Sequence, residues 1–314
     1  MTDRNRKARR KLHSLEIILP ATSANLGPAF DAAALALAMF LKVHAVPANE
    51  FSIRASGRDQ EICAQLENHL ILTTYREVLQ AEKKPVHPLA LRIDNGIPIG
   101  KGCGSSAAAR LAGIALAAHF GRLRWSEGRI VHEAARREHH PDNAAACWNG
   151  GLAIARISAD GEMQIADVKP KGKWPLLLVV PYESLSTEDA RRVLPKKYSR
   201  ADAVANIQNS MLLLAAFVQG RKDLLASALE DRIHQPYRAA LCPLLPALRN
   251  LTDTRGILGS ALSGAGPSVL VFLDPRSNAK QASARVRERL REQGINAELI
   301  HTGITTRGAR QRVS

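Results

Sequence analysis

Aromatic side chains are scarce in this sequence, since Phe, Trp and Tyr make up only 4% of its 314 residues. Hydrophobic residues as a whole account for 46%, so Leu, Ala, Ile and Val must fill the core. That share excludes disorder as a description of the whole chain, because disordered chains have too little apolar surface to bury. The length suits one large domain or, better, two domains of ordinary size.

Cysteine is also rare, and the four cysteines form no Cys-x-x-Cys pair. They are Cys63, Cys103, Cys147 and Cys242. Their spacing excludes a disulfide framework and a zinc site of the usual kind, and it is typical of reduced thiols. We therefore predict a cytoplasmic protein.

Long apolar runs are missing as well, since none reaches the roughly 20 residues that span a bilayer. The longest candidate, Ala32–Leu41, is stopped by Lys42. The basic N-terminus is not followed by the apolar region and small-residue cleavage site of a secretory signal. The sequence predicts no contact with a membrane.

Positive charge is in excess, with a formal net charge of +15, and two tails supply more than half of it. Residues 1–13 carry six Lys or Arg against Asp3, and residues 304–314 carry three Arg. Basic tails are usually solvated and poorly ordered, and neither tail holds an aromatic residue that could stack on bases. We expect two disordered basic tails and no nucleic-acid partner.

A glycine-rich loop runs directly into an alanine-rich apolar segment. Its residues are Pro98, Ile99, Gly100, Lys101, Gly102, Cys103, Gly104, Ser105, Ser106 and Ala107. The three glycines let the backbone approach an anion, and a helix that begins near the serine pair adds the positive end of its dipole. The loop predicts a nucleotide phosphate site, with a serine-capped turn that binds no ligand as the alternative.

The predicted helices and strands divide the chain into two halves, which meet at a polar stretch, residues 160–173. The first half predicts strands at 15–19, 51–55, 89–93 and 152–157, and helices at 66–83, 105–120 and 126–138. The second predicts strands at 174–180, 256–262, 268–272 and 297–301, and helices at 187–194, 201–219, 223–231, 245–254 and 277–292. Residues 32–46 are compatible with either a helix or a strand, because their apolar run is nearly continuous.

Three further motifs accompany the glycine-rich loop in a fixed order. They read PATSANLGPAFD at 20–31, EHHPDN at 138–143 and SGAGPS at 263–268. Together with the loop, this order resembles the GHMP family of small-molecule kinases. Two more runs, STEDARRVLP at 186–195 and DRIHQPYR at 231–238, are most similar to the homoserine kinases of that family. The resemblance extends from about residue 15 to residue 303.

The resemblance implies an α+β fold of two domains with the ligand site between them. The N-terminal domain, residues 14–165, would resemble domain 2 of ribosomal protein S5. The C-terminal domain, residues 166–303, would be ferredoxin-like. Residues 1–13 and 304–314 would remain outside both domains as tails.

The resemblance also implies a role for particular residues. ATP phosphates would lie on the glycine-rich loop, with Mg²⁺ held by Ser106 and Glu138. The substrate, L-homoserine, would be bound by Asn25, Asp31, Asn143, Arg191 and Arg238. Asp142 and His140 are the candidates for a catalytic base, and direct transfer without a base is the alternative. The implied partners are ATP and L-homoserine, with a homodimer as a further expectation, and the product would serve threonine biosynthesis.

Four residues depart from the family pattern: Ala29, Cys103, His139 and Ala146. Ala29 adds a Cβ where a positive φ is expected, and His139 adds a ring beside the predicted metal ligand. These departures leave the phosphotransfer residues intact but leave open a GHMP kinase for another small alcohol. A metabolite sensor without catalysis is a separate alternative, against which the presence of Ser106, Glu138 and Asp142 argues. Asp31 could also pair with a nearby arginine, and Asp142 could cap a helix.

Overall fold

The computed structural model describes residues 13–138, 140–251 and 256–314. The predicted disordered tail, apart from His13, therefore lies outside the described residues, as does the departure at His139. The strands are β1 Leu15–Asn25, β2 Ala29–Pro47, β3 Ser52–Gly57, β4 Leu89–Asn95, β5 Leu152–Ile157, β6 Met163–Val168, β7 Pro175–Pro181, β8 Ile257–Leu262, β9 Val269–Leu273, β10 Ala297–Gly303 and β11 Arg310–Val313.

The helices carry most of the remaining ordered chain. They are α1 Gln60–Ala64, α2 Leu70–Ala81, α3 Ser105–Phe120, α4 Glu127–Glu138, α5 Asp142–Asn149, α6 Thr187–Arg192, α7 Arg200–Gln219, α8 Leu225–Ala228, α9 Gln235–Arg238, α10 Leu244–Arg249 and α11 Ala279–Glu292. The helices predicted over 223–231 and 245–254 are thus shorter than the pattern indicated.

The N-terminal domain is built on a seven-stranded sheet in the order β11-β1-β2-β4-β3, with β5 beside β2 and β6 beside β5. Helices α3 and α5 pack on β1 and β2, and α2 packs on α3. A Cβ at Gly113 of α3 would lie 2.5 Å from the carbonyl oxygen of Ile71 in α2. Glycine and the surrounding alanines therefore allow these two helices to approach closely.

The ambiguous segment around 32–46 is a strand, β2, of 19 residues. Its middle, from Ala33 to Leu37, is buried on both faces, which explains the nearly continuous apolar run. From Leu41 to Ala45 burial alternates with exposure, as in a half-buried strand. β1 also continues past Pro20, with a shift of register between Pro20 and Ala21.

The C-terminal domain has a four-stranded antiparallel sheet in the order β10-β7-β9-β8. Along the chain these strands follow a β-α-β-β-α-β succession, which is the ferredoxin-like arrangement. Its core joins apolar residues of the sheet to α10 and α11, among them Val179, Val271 and Val286. The predicted two-domain α+β fold is confirmed.

The C-terminal residues 304–314 differ from the prediction of a tail. Ile304 bridges Leu37 of β2, and β11 pairs with β1 so that Arg310 lies opposite Ile18. The side chains of β11 are all exposed, so the segment has no apolar signal and is held by backbone hydrogen bonds. The boundary predicted after residue 165 likewise falls inside β6, which pairs with β5.

Helix α7 alone, within the ranges the structure describes, is long and apolar enough to cross a membrane by length and composition. Polar side chains fix it to the N-terminal domain instead. Asn206 and Ser210 both donate hydrogen bonds to the carbonyl oxygen of Pro28, at 2.7 and 2.9 Å. We interpret α7 as a structural element of this fold.

Candidate active site

One cavity of about 520 Å³ lies between the two domains. The N-terminal domain contributes the glycine-rich loop together with Asn25, Asp31 and Asp142, and the C-terminal domain contributes Arg191 and Arg238. The structure therefore brings the predicted phosphate loop and the predicted substrate residues to a single site.

The glycine-rich loop is shaped by three positive φ angles, at Gly100, Gly102 and Gly104. A Cβ at Gly104 would lie 1.8 Å from Oγ1 of Thr22, and one at Gly102 would lie 2.1 Å from the carbonyl oxygen of Ser263. These two glycines serve the packing of the loop against its neighbours, rather than only the approach of an anion. A Cβ at Gly100 would meet nothing closer than Oγ of Ser184 at 3.4 Å.

Contacts from both domains hold the loop in place. The backbone amide of Thr22 donates to the carbonyl of Cys103, and Oγ of Ser263 donates to the carbonyl of Gly102. Lys101 donates from its ammonium to the carbonyl of Tyr182, just after β7. Cys103 is 1% exposed beneath the loop, and burial raises the pKa of its thiol to about 12, so the side chain packs under the loop as a neutral thiol.

Ser106, in the first turn of α3, faces Glu138 at the end of α4. The Ser106 hydroxyl lies 2.8 and 2.7 Å from the two carboxylate oxygens of Glu138, and Arg110 donates to the same carboxylate. Oxygen donors of this kind fit Mg²⁺, which commonly binds one or two protein oxygens together with phosphates and water. The parts of the chain that the structure describes contain no group of three or more acidic, His or Cys residues suited to a metal.

Asp31 pairs with Arg191 across the domain interface. The guanidinium of Arg191 donates two hydrogen bonds, at 2.9 and 2.7 Å, to the two carboxylate oxygens of Asp31. Asn25 accepts from the amide of Asp31 at 2.9 Å and donates to the carbonyl of Gly264 at 2.8 Å. Asp31 thus does pair with an arginine, and that arginine is itself a predicted substrate residue.

Arg238 is 1% exposed, although it lines the cavity. Its Nε donates to the carbonyl of Ala190 at 2.9 Å, and the guanidinium lies 5.3 Å from the centre of the Phe30 ring. Burial, aided by the charge of Arg191, lowers the pKa of Arg238 to about 10. Arg238 is therefore not an ordinary surface arginine.

His140, Asp142 and Asn143 form a polar cluster at the start of α5. Nδ1 of His140 lies 2.8 Å from Oδ1 of Asp142, which also accepts from the amide of Asn143 at 2.7 Å. Burial favours a lower pKa for His140, but the hydrogen bond and charge of Asp142 outweigh it, so the pKa is raised. Asp142 lies in the first turn of α5 and is 1% exposed. It also borders the cavity, so its carboxylate does more than begin a helix.

Sequence reasoning missed several residues that shape the site. Thr22 hydrogen-bonds Asn143 and contacts Gly104, Phe30 lies beneath both arginines, and His234 contacts Arg238. All three lie within the quoted motifs, but their contacts join distant parts of the chain. Ala29, for its part, has no positive φ and begins β2, so its Cβ causes no strain.

The cavity also has an apolar arm that sequence reasoning did not predict. Its lining includes Ile62, Leu70, Ile71 and Ile97, and the polar residues Gln65, Glu67, Asn68 and Asn95 border it together with His69 at the start of α2. Nδ1 of His69 is buried without a hydrogen-bond partner. An unpartnered buried nitrogen in an apolar pocket suits the polar edge of a flat ring.

Comparison with known proteins identifies the family. Two family models match: GHMP kinases N terminal domain over residues 69–151, and GHMP kinases C terminal over residues 213–292. A curated homoserine kinase from Solibacter usitatus is 42% identical over 290 residues, covering 92% of this chain and 94% of that protein. The chain belongs to the homoserine kinase family of GHMP kinases.

Further homoserine kinases match this chain in sequence and in structure. One from Synechocystis sp. is 36% identical over 300 residues, covering 94% of this chain and 97% of that protein. The crystal structure of homoserine kinase from Cytophaga hutchinsonii matches with a TM-score of 0.79 at 22% identity, covering 96% of this chain and 98% of that one. That structural likeness shows the shared fold, and the predicted family and kinase class are confirmed.

Proposed function

We propose that this chain transfers the γ-phosphoryl group of ATP to the hydroxyl of L-homoserine, giving O-phospho-L-homoserine. The observation that carries the proposal is the single cavity that joins the glycine-rich loop to Asp31, Arg191 and Arg238. Curated homoserine kinases that match over nine-tenths of the chain support the same substrate. We further propose action in the cytoplasm and a place in threonine biosynthesis.

The proposed nucleotide site comprises the loop, the N-terminus of α3 and the apolar arm. Backbone amides of residues 99–107, which include the first turn of α3, would bind the phosphates, with Pro98 at the start of the loop. The arm beside His69 would hold the adenine ring, since it offers apolar walls and one unpartnered nitrogen.

The proposed amino-acid site matches a zwitterion. Homoserine carries an α-carboxylate and an α-ammonium, so its site needs a cation and an anion together. Arg191 and Arg238 would bind the carboxylate, because a guanidinium offers paired donors to it. Asp31 would bind the ammonium, with help from Asn25 and Asn143.

Asp142 is the proposed acceptor of the hydroxyl proton, with His140 orienting its carboxylate at 2.8 Å. Phosphoryl transfer depends mainly on in-line positioning and on neutralisation of charge. Direct passage of the proton to the phosphate therefore remains the competing route. Ser106 and Glu138 would hold Mg²⁺, which would neutralise charge on the phosphate oxygens.

The test is ADP release by the purified full-length chain in a coupled assay. L-Homoserine, mevalonate, shikimate, pantoate and galactose are compared as acceptors. We expect the highest kcat/KM for L-homoserine by a wide margin. Preference for another alcohol would refute the substrate but retain the kinase, whereas ATP binding without turnover of any acceptor would indicate a sensor.

A second copy of this chain is the partner that we propose for α7. Val204, Ile207, Met211 and Val218 are 45%, 63%, 64% and 49% exposed, and their spacing places them on one face of the helix. Two antiparallel copies of α7 could bury this face about a two-fold axis. We expect a dimer in light scattering for the unmodified chain and a monomer for Met211→Glu; a monomer in both would refute this partner.

A further inference from the structure

We propose that His234 is a positioning residue for Arg238, which it holds as a neutral imidazole that carries its proton on Nε2. The inference rests on the proposed function, because it assigns Arg238 to the carboxylate of the substrate. It concerns a side chain that is 0% exposed and has no place in the chemistry described above.

The two ring nitrogens of His234 face groups of opposite kinds. Nε2 lies 2.7 Å from the carbonyl oxygen of Gly27, which can only accept a hydrogen bond. Nδ1 lies 3.1 Å from Nη1 of Arg238, which can only donate. One tautomer satisfies both contacts, with the proton on Nε2 and the lone pair on Nδ1.

The surroundings of Nε2 support the same assignment. Besides the carbonyl of Gly27, the carboxylate of Asp231 lies 3.5 Å from Nε2. That carboxylate accepts hydrogen bonds from the amides of Ile233, His234 and Gln235. Gly27 and Asp231 both present acceptors to Nε2, and Asp231 also fixes the backbone from which His234 projects.

A second proton on His234 is disfavoured by position. It would place a second cation beside the buried guanidinium of Arg238, although the carboxylates of Asp231 and Asp31 favour the proton. Burial is the main cause that lowers the pKa of His234, to about 4. The imidazole is consequently neutral over the pH range in which the enzyme would be assayed.

Four contacts surround the guanidinium of Arg238. The carbonyl of Ala190 accepts from Nε, and Nδ1 of His234 accepts from Nη1 at 3.1 Å. The carbonyl of Gly264 lies 3.5 Å from the same Nη1, and the ring of Phe30 lies beneath. Phe30 also stacks on His234, with ring centres 5.1 Å apart. Without the acceptor on His234, Nη1 of Arg238 would keep only the longer contact to Gly264, so the guanidinium would be held less firmly in its rotation toward the cavity.

Two substitutions test the contacts of the two ring nitrogens separately. His234→Asn retains an acceptor near Nδ1 and removes the donor to Gly27, whereas His234→Gln retains a donor near Nε2 and removes the acceptor for Arg238. We expect His234→Gln to raise the KM for L-homoserine about tenfold, the effect of losing one hydrogen bond to a charged group. We expect His234→Asn to stay within roughly threefold of the unmodified enzyme, and the KM for ATP to be unchanged in both.

A merely structural role predicts a different result. In that case both variants would change the KM for L-homoserine equally, in step with their melting temperatures, and the proposal would be overturned. His44→Gln, on β2 away from the cavity, is the matched control and should match the unmodified enzyme in every respect.

A second measurement does not depend on turnover. Nitrogen-15 NMR of the unmodified chain at pH 7 should show His234 as neutral, with the proton on Nε2. A proton on Nδ1, or on both nitrogens, would overturn the proposal even if the variants fail to fold. Failure of the unmodified chain to phosphorylate homoserine would refute the proposed function alone, because the tautomer would still be measured.

Discussion

Asp31 and Arg191 are joined by two hydrogen bonds although 160 residues separate them in the chain. A molecule with one charge could satisfy only one of them and would leave the other unpaired in a partly buried place. A zwitterion can replace both partners at once, with its carboxylate on Arg191 and its ammonium on Asp31. The pair therefore favours amino acids over simple alcohols or simple acids.

Neighbouring arginines on α6 allow a matched test of this pair. Arg191→Ala should raise the KM for L-homoserine by one to two orders of magnitude, because a charge-assisted bond contributes roughly 1.5–3 kcal/mol. Arg192→Ala removes an exposed arginine that bonds only Glu188 and Asp189 in the described structure. Steady-state kinetics with both substrates should show no change for Arg192→Ala; equal effects from the two substitutions would contradict the assignment.

His234 should also make the fold sensitive to acid. Its pKa in the folded chain is lowered by burial to about 4, against 6.5 for a free imidazole. Between these values the unfolded chain binds a proton that the folded chain does not, so stability falls as the pH drops from 6.5 toward 4. Melting temperatures at pH 7.5 and pH 5 should differ less for His234→Asn than for the unmodified chain.

The residue types of the site were predictable, but their pairing was not. The motifs identified Asp31, Arg191 and Arg238 because each lies in a run of characteristic letters. Nothing in those runs indicates that Asp31 bonds Arg191, or that His234 bonds Arg238, because such contacts depend on how the two domains meet. The burial of Arg238 could not be predicted either, because it too depends on how the two domains meet.

At the scale of elements, the glycine-rich loop contains glycines with different tasks. Gly104→Val would place side-chain atoms on Thr22, so it should unfold the loop and cannot isolate nucleotide binding. Gly100 borders the cavity with room for a Cβ. Gly100 is therefore the glycine whose substitution reports on the ligand.

Gly100→Ala and Gly161→Ala form a matched pair, because both glycines have positive φ and space around them. Each should lower the free energy of unfolding by about 1 kcal/mol, the cost of a left-handed alanine. Gly100→Ala alone should raise the KM for ATP and reduce the rise in melting temperature that ATP causes. An unchanged response to ATP would show that the loop is only a structural turn.

Helices and strands could be predicted where their own residues show a clear apolar periodicity or a capping residue. α3, α7 and α11 have long apolar or capped patterns, and they were predicted within a few residues. β2 was ambiguous, because burial on both faces removes the alternation that distinguishes a strand from a helix. β11 gave no signal at all, because its side chains are exposed and only its backbone contacts β1.

At the scale of the whole molecule, β11 covers one side of β1 and joins remote parts of the chain. Removal of residues 310–314 should expose the backbone groups of β1 from Leu15 to Ile18. We expect a lower melting temperature and a stronger tendency to aggregate, because the unpaired backbone groups of a strand edge can form hydrogen bonds with another chain. Homoserine and ATP binding should persist, since β11 does not border the cavity; equal stability of the shortened and full chains would contradict this role.

The pairing of β1 with β11 also sets an order of events during protein synthesis. Ser14 and Ser314 exchange backbone hydrogen bonds across a separation of 300 residues. Among the strands of this sheet β1 is synthesised before the others, and its edge toward β11 stays unpaired until both domains have been translated. The N-terminal sheet acquires its last strand only after the C-terminal domain has been translated. The N-terminal domain is therefore completed after the C-terminal domain, although its first strand is made earlier.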